Sequence, residues 1–246
     1  MGAQQPDPDI HVINRRALLR AGILAGGILT GAASAGTAVF ARTAQPSNRT
    51  APDQRAATPD QAWATLREGN RRWVNGTATH PHQDADRRRE VAQKQNPFAV
   101  VFSCIDSRVS PELVFDTGLG DLFVVRTAAQ TIDPLVTGAA EYGPAEVGTP
   151  LVVVLGHQRC GAVTAAAESL HEHKKLPGEL STIASALRSA YTRSGGDVDK
   201  MIRINTVDVV NQLKKDNLFA PRIAKGKLKV IGVYYSIDTG TVTRLV

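Results

Sequence analysis

Cysteine is nearly absent from this chain: 246 residues carry two, Cys104 and Cys160. That is too few for a disulfide framework, and no C-x-x-C pair exists to support thiol–disulfide exchange. Aromatic residues are scarce at 5%, and the formal net charge of +6 comes from scattered lysines and arginines. Nucleic-acid binding needs a basic stripe interleaved with aromatics, so that class has no support. Residues 1–44 hold four Arg and two Asp, leaving +4 for the remainder. Charge is missing altogether from Ala21 to Ala41, but this run is mostly Gly and Ala with few leucines, which makes a poor membrane span. Hydrophobic content of 42% is ordinary, and the length suits one α/β domain with an appendage.

Two short stretches carry the chemistry. Val100-Val101-Phe102-Ser103-Cys104-Ile105-Asp106-Ser107-Arg108-Val109 and Val152-Val153-Val154-Leu155-Gly156-His157-Gln158-Arg159-Cys160-Gly161-Ala162 each begin as a β-branched run of strand length. Each then breaks into polar, metal-competent residues. Ligands of parallel α/β sheets collect at the carboxyl ends of strands. Neighbouring strands ending at Cys104 and at His157 and Cys160 would therefore aim three ligands at one spot. Two thiolates and one imidazole fill three corners of a zinc tetrahedron and leave the fourth open, the catalytic arrangement. Two core cysteines or a disulfide would leave His157, Asp106 and Arg108 unexplained.

The pair of motifs, CIDSR followed by GHQRCGA, resembles the β-class carbonic anhydrases, over a span from about Thr58 to Val246. The resemblance implies one Zn2+ per chain on Cys104, His157 and Cys160, with Asp106 and Arg108 as a dyad beside it. It implies reversible hydration of carbon dioxide to bicarbonate through a zinc-bound hydroxide, in a homodimer or homotetramer. Likeness to the plant-like subgroup implies a substrate pocket of Gln95, Phe123, Tyr142 and Gly161. These stand nine residues before Cys104, nineteen after it, fifteen before His157 and directly after Cys160. The strand from Phe98 to Ser103 is expected to bring Gln95 back over the metal. One departure is Arg126-Thr127-Ala128-Ala129-Gln130, where the family often has R-N-x-A-N or R-N-A-G-N; Ala128 replaces the subgroup's valine, which implies a wider cavity. On the same scaffold the alternative is a carbon disulfide or carbonyl sulfide hydrolase. From other classes, a dithiol redox protein or a non-catalytic bicarbonate-binding module are the competing readings.

Taken in order, residues 45–57 (QPSNRTAPDQRAA) form a polar linker ahead of a catalytic domain over 58–246. Thr58-Pro59-Asp60 opens a helix with Trp63, Leu66 and Trp73 on one face, ended by Gly76. A charged helix is expected from Asp84 to Gln95, with Arg87-Arg88-Arg89 as a solvated face. Strands are expected at 98–103, 121–126, 151–155 and 228–235, with a last short strand over 241–246. Between them come a short helix after Ser110, a helix from Asp133 that Gly143-Pro144 must bend or interrupt, and one opened by Cys160. Residues 178–194 and 197–217 read as two surface helices. The fold class is then α/β: a mainly parallel sheet of about four strands plus a short antiparallel edge strand, with helices on both faces. His80, His82, His171 and His173 read as solvated, and His171 or His173 could relay protons only if brought to the mouth of the site.

Asn14-Arg15-Arg16-Ala17-Leu18-Leu19-Arg20 resembles the twin-arginine export motif, so residues 1–44 read as a signal segment recognised by the twin-arginine translocation machinery. Ala33-Ser34-Ala35 or Ala41-Arg42-Thr43-Ala44 offers a cleavage site. The expected location is periplasmic or extracellular, or membrane-anchored if the segment is not cleaved.

Overall fold

The computed structural model describes Ala56 and residues 58–246. The signal segment 1–44 and the 45–57 linker apart from Ala56 lie outside the described residues. Four strands run parallel: β1 (Ala99–Cys104), β2 (Leu122–Thr127), β3 (Leu151–His157) and β4 (Lys229–Tyr235). A fifth, β5 (Val242–Arg244), pairs antiparallel with β4, and the order is β2-β1-β3-β4-β5. This is the architecture expected from the sequence. β1 and β3 are buried along their whole length, which is why they read as unbroken β-branched runs rather than alternating ones. They reach further than expected, to Cys104 and His157 themselves. The chain leaves β1 on one side for β2 and returns on the other side as β3, so the ends of β1 and β3 flank the switch point of the sheet.

Helix α1 (Pro59–Val74) starts with a reciprocal capping box: Gln61 N–H donates to Thr58 Oγ1 at 3.3 Å and Thr58 N–H to Gln61 Oε1 at 3.1 Å. Its Leu66 and Trp63 pack with Val101, Val153 and Val233 on one face of the sheet. After α2 (Ala85–Val91), the short α3 (Pro111–Val114) adds Val114 and Phe115 to that layer. The chain continues through α4 (Pro134–Tyr142), α5 (Gly161–His171), α6 (Leu180–Ala186), α7 (Arg188–Ser194), α8 (Val198–Lys214) and α9 (Phe219–Ala224). On the opposite face, Val209, Val210 and Leu213 of α8 and Phe219 pack with Phe102, Val152 and Val154.

Several local expectations are corrected. The charged helix stops at Val91, with Ala92 as its C-cap, instead of reaching Gln95. Arg87 is not on a solvated face: it is 8% exposed, donates from Nε to Leu119 O at 2.9 Å and pairs with Asp121 at 3.3 Å. Nor is His82 merely solvated, since its Nδ1 meets Asp121 Oδ1 at 2.8 Å. Gly143-Pro144 does interrupt its helix as expected: α4 ends at Tyr142 and gives way to a π-type turn over Gly143–Val147. Residues 178–194 form two helices joined at Leu187, not one.

The segment 197–217 is no surface helix either. Met201, Ile202, Asn205, Thr206, Val209, Val210 and Leu213 recur every three or four residues and are all buried. Fully burying one such aliphatic side chain stabilises by about 1.5–3 kcal/mol, enough in sum to seat α8 against the sheet. The approach is close: a Cβ on Gly156 would stand 2.2 Å from Thr206 Oγ1.

The loop between α1 and α2 is strapped down by Asp116. This buried carboxylate accepts from Arg72 Nε at 2.5 Å, Thr79 N–H at 3.0 Å and His80 N–H at 2.9 Å. Burial alone would raise its pKa, but the Thr79 and His80 amides and the Arg72 guanidinium outweigh it and hold the group at about 2. Being depressed, it contributes stability above the ordinary carboxylate pKa and loses it as pH falls from about 4 to about 2. Asp116→Asn should cost about 2 kcal/mol in urea unfolding at pH 7. The gap between parent and variant should narrow as pH approaches 2; an equal gap at every pH would contradict the account.

Candidate metal centre

Cys104 is the last residue of β1, His157 the last of β3 and Cys160 the residue that precedes the first turn of α5. All three are buried, at 2%, 0% and 1% exposure. The chain turns back between His157 and Cys160 because Arg159 takes a left-handed φ of 51°. That strained turn is pinned from outside: Arg159 forks Asp238 at 2.8 and 2.6 Å, and Gln158 Nε2 donates to the same carboxylate at 2.9 Å.

The donor atoms of the three residues lie within 4.8 Å of one another, the one such grouping among the described residues. Cys104 Sγ and Cys160 Sγ are 3.7 Å apart. Two thiolates on a tetrahedral zinc, each about 2.3 Å from it, would stand ~3.8 Å apart. His157 Nδ1 lies 3.0 Å from Gln158 O, so it carries the proton and turns the Nε2 lone pair inward. That Nε2 is buried and has no hydrogen-bond partner. A buried imidazole nitrogen left unpaired is costly unless something electrophilic occupies the space before it. The residues therefore fit a zinc ion. Cys104 is pushed down because Cys160 donates to it, with the Ala129 and Asp106 N–H groups adding to this against burial. Cys160, beside that thiolate and buried, is pushed up.

Asp106 and Arg108 face this cluster. Arg108 donates from Nε and Nη2 to the two carboxylate oxygens at 2.9 and 2.7 Å, and its own N–H reaches Oδ1 at 3.0 Å. Chiefly through Arg108, and against burial, the Asp106 pKa drops to about 2. Asp106 Oδ2 lies 3.9 Å from His157 Nε2, so the ionised group borders the space the lone pair points into. Arg108 Nη2 also donates to Arg159 O at 3.0 Å, tying the two motifs together. Sequence reasoning passed over Arg126, whose guanidinium gathers the carbonyls of Cys104, Asp106 and Val109 at 2.8, 2.7 and 3.0 Å and so shapes the CIDSR loop. A charged residue near the end of an otherwise apolar strand, directly opposite Ser103 of β1, was the available signal.

Gly161 sits beside the cluster as the first residue of α5, with nothing within 4 Å of where a Cβ would be. The other three pocket residues are elsewhere in the same chain. Gln95 is exposed ahead of β1, and five strand steps of about 3.3 Å separate Ala99 from Cys104, so the strand carries Gln95 away from the cluster rather than over it. Phe123 is in register with Val100 near the start of β1, and Tyr142 packs edge-on against it at 5.7 Å. Ala128, the position that departs from the subgroup, opens a tight turn directly after β2. His171 and His173 are remote: α5 begins at the cluster and its eleven residues rise about 15 Å before His171.

The profile of the carbonic anhydrase family matches residues 99–242, the stretch that contains every strand but the last two residues of β5. The chain is 40% identical over 189 residues to "Carbonic anhydrase 2" of Mycobacterium tuberculosis, covering 74% of this chain and 90% of that one. It is 39% identical over 191 residues to a carbonic anhydrase of Mycolicibacterium smegmatis, covering 76% and 93%. Among solved structures, a tetrameric β-carbonic anhydrase of the ascomycete Sordaria macrospora superposes with a TM-score of 0.59 at 25% identity, covering 72% of this chain and 93% of that one. Motif, fold and relatives agree: the chain belongs to the β-class carbonic anhydrase family.

Proposed function

We propose that this carbonic anhydrase is an exported zinc enzyme that hydrates carbon dioxide reversibly to bicarbonate and a proton, with the ion held by Cys104, His157 and Cys160. The observation that carries the reading is the unpartnered His157 Nε2 facing two thiol sulfurs, with the Asp106 carboxylate 3.9 Å away. Zinc held by these ligands would supply the Lewis acidity that makes water a hydroxide donor near neutral pH. The chain's own residues do the rest. Asp106, kept ionised by Arg108, accepts the hydrogen bond of the attacking O–H and so turns its lone pair toward carbon. Gly161, bare of a side chain, leaves room for the linear substrate beside Cys160. The proton released on forming bicarbonate passes to buffer.

The plant-like pocket can involve Gln95, Phe123 and Tyr142 only across a subunit boundary, and we infer a homodimer or homotetramer in which one copy offers this edge to the cluster of another. Support comes from β2 being an edge strand, from Tyr142 and Leu135 being 48% and 86% exposed, and from the tetrameric state of the Sordaria enzymes. Export by the twin-arginine machinery is supported by Asn14 to Arg20 and by chemistry. Two thiols 3.7 Å apart would be open to disulfide formation if they reached an oxidising compartment unfolded, whereas that route carries folded proteins with the ligands already occupied.

Three experiments test these statements. Stopped-flow hydration of carbon dioxide should show an active parent, with carbonyl sulfide and carbon disulfide turned over poorly; Asp106→Asn should keep its zinc and lose about 10²-fold in kcat/KM. An unchanged rate would reduce Asp106 to a structural role. Cys104→Ser and Cys160→Ser should each lose the metal and the activity, since a serine hydroxyl replaces a thiolate poorly; full zinc content by elemental analysis in both would remove the ligand assignment. Replacing Arg15 and Arg16 together by Lys should leave an active enzyme inside the cell. Normal export of that double variant would point to a general secretory signal.

A further inference from the structure

Directly after β2 the chain makes a tight turn over Ala128–Gln130, and two successive residues of it, Ala129 and Gln130, take left-handed φ values of 56° and 52°. Neither is glycine, and both are buried. L residues hold this conformation only where the surroundings over-determine it. Thr131 closes the turn locally, its N–H and hydroxyl donating to Ala128 O at 3.1 and 3.0 Å. The contact from across the molecule is Asn205 of α8, itself 8% exposed, whose Nδ2 donates to Ala129 O at 2.7 Å. On the other side of the same residue, Ala129 N–H donates to Cys104 Sγ at 3.3 Å.

We infer that Asn205 is a positioning residue for the metal centre: by holding the Ala129 carbonyl it keeps the Ala129 N–H directed at the Cys104 sulfur. The two thiols differ in what supports them. Cys160 stands at the start of α5, where the Ala162 and Val163 amides face it as part of the helix. Cys104 ends a strand and has no helix terminus, so its sulfur depends on the Asp106 amide and on a turn that is unfavourable by itself. An amide N–H on a ligand sulfur draws charge from it, fixes its direction and tunes its donor strength toward a metal. Asn205 thus links the helix layer to the Cys104 sulfur through the backbone of one residue, Ala129.

This inference rests on the reading that Cys104, His157 and Cys160 hold zinc. The test measures zinc affinity by chelator competition, and the thiolate-to-metal charge-transfer band of the cobalt-substituted protein, in the parent and three variants. Asn205→Ala and Asn205→Leu, the latter keeping the branched outline without the amide, should each bind zinc about tenfold to a hundredfold more weakly. Their cobalt band should move to longer wavelength, because a sulfur relieved of its N–H donor gives up charge more easily. Adding Ala129→Gly to Asn205→Ala should restore most of the affinity, since glycine takes the left-handed turn without help. A purely packing role for Asn205 would not be repaired in this way, so a double variant as weak as Asn205→Ala overturns the inference. So does an Asn205→Leu protein with affinity within about twofold of the parent and an unmoved band. A parent that binds neither zinc nor cobalt would instead bring down the zinc reading itself, and this inference with it.

Discussion

Three donor atoms, shut off from solvent and within 4.8 Å of one another, are the constraint on which the molecule is built. Two sulfurs in contact repel as thiolates, and an inward imidazole nitrogen has no partner. Desolvated polar groups in such a state are unfavourable until a cation joins them. Metal binding to such a set is therefore part of the free energy of folding and not an addition to a finished fold. The remaining structure resists the rearrangements that would let the donors drift apart. Parallel pairing of β1 and β3 brings two strand ends together at the switch point of the sheet. Close seating of α8 on Gly156 keeps β3 from shifting.

Around this core the charges are arranged in order. Backbone amides face the sulfurs, a carboxylate faces the inward nitrogen, and guanidinium groups face the carboxylate and the loop carbonyls. The guanidinium groups satisfy the carboxylate and the loop carbonyls, while the inward nitrogen is left without a partner. Arg108 is 48% exposed at its side chain yet grips Asp106 with both nitrogens, a geometry that survives partial solvation because it is bidentate. Asp238 does the same for Arg159 and so guards the left-handed turn between His157 and Cys160. Of the left-handed residues other than glycine, Arg159 adjoins Cys160, Ala129 donates to Cys104 and Gln130 follows it, while His80, His82, Asp116 and His173 lie elsewhere. Strain of this kind persists where neighbours hold it, and here the neighbours also shape the site.

Much of this was legible from the chain alone, for a local reason. β-Branched runs that end in Cys, His and Asp report both a buried strand and what it presents at its end, because side-chain chemistry and strand propensity are written in the same residues. The helix start at Thr58 and the parallel sheet with its antiparallel edge were readable on the same terms. Arg87 was not, since a helix of arginines looks solvated until Asp121, more than thirty residues away, is placed beneath it. Nor was α8, whose apolar spacing is diluted by Asn205 and Thr206 at core positions.

The sequence by itself determined which atoms could bind a metal and which strands would deliver them, because ligand identity and strand ends are properties of a few consecutive residues. The tertiary structure alone decided how those atoms are held. It placed Gln95 and Phe123 at the far end of β1 from Cys104, a consequence of strand direction that an offset of nine or nineteen residues cannot express. It set Asn205 against Ala129 across 76 positions of chain, and Arg159 against Asp238 across 79. Hydrogen bonds of that kind depend on where two elements come to rest in space, and no local pattern of residues encodes the distance between them.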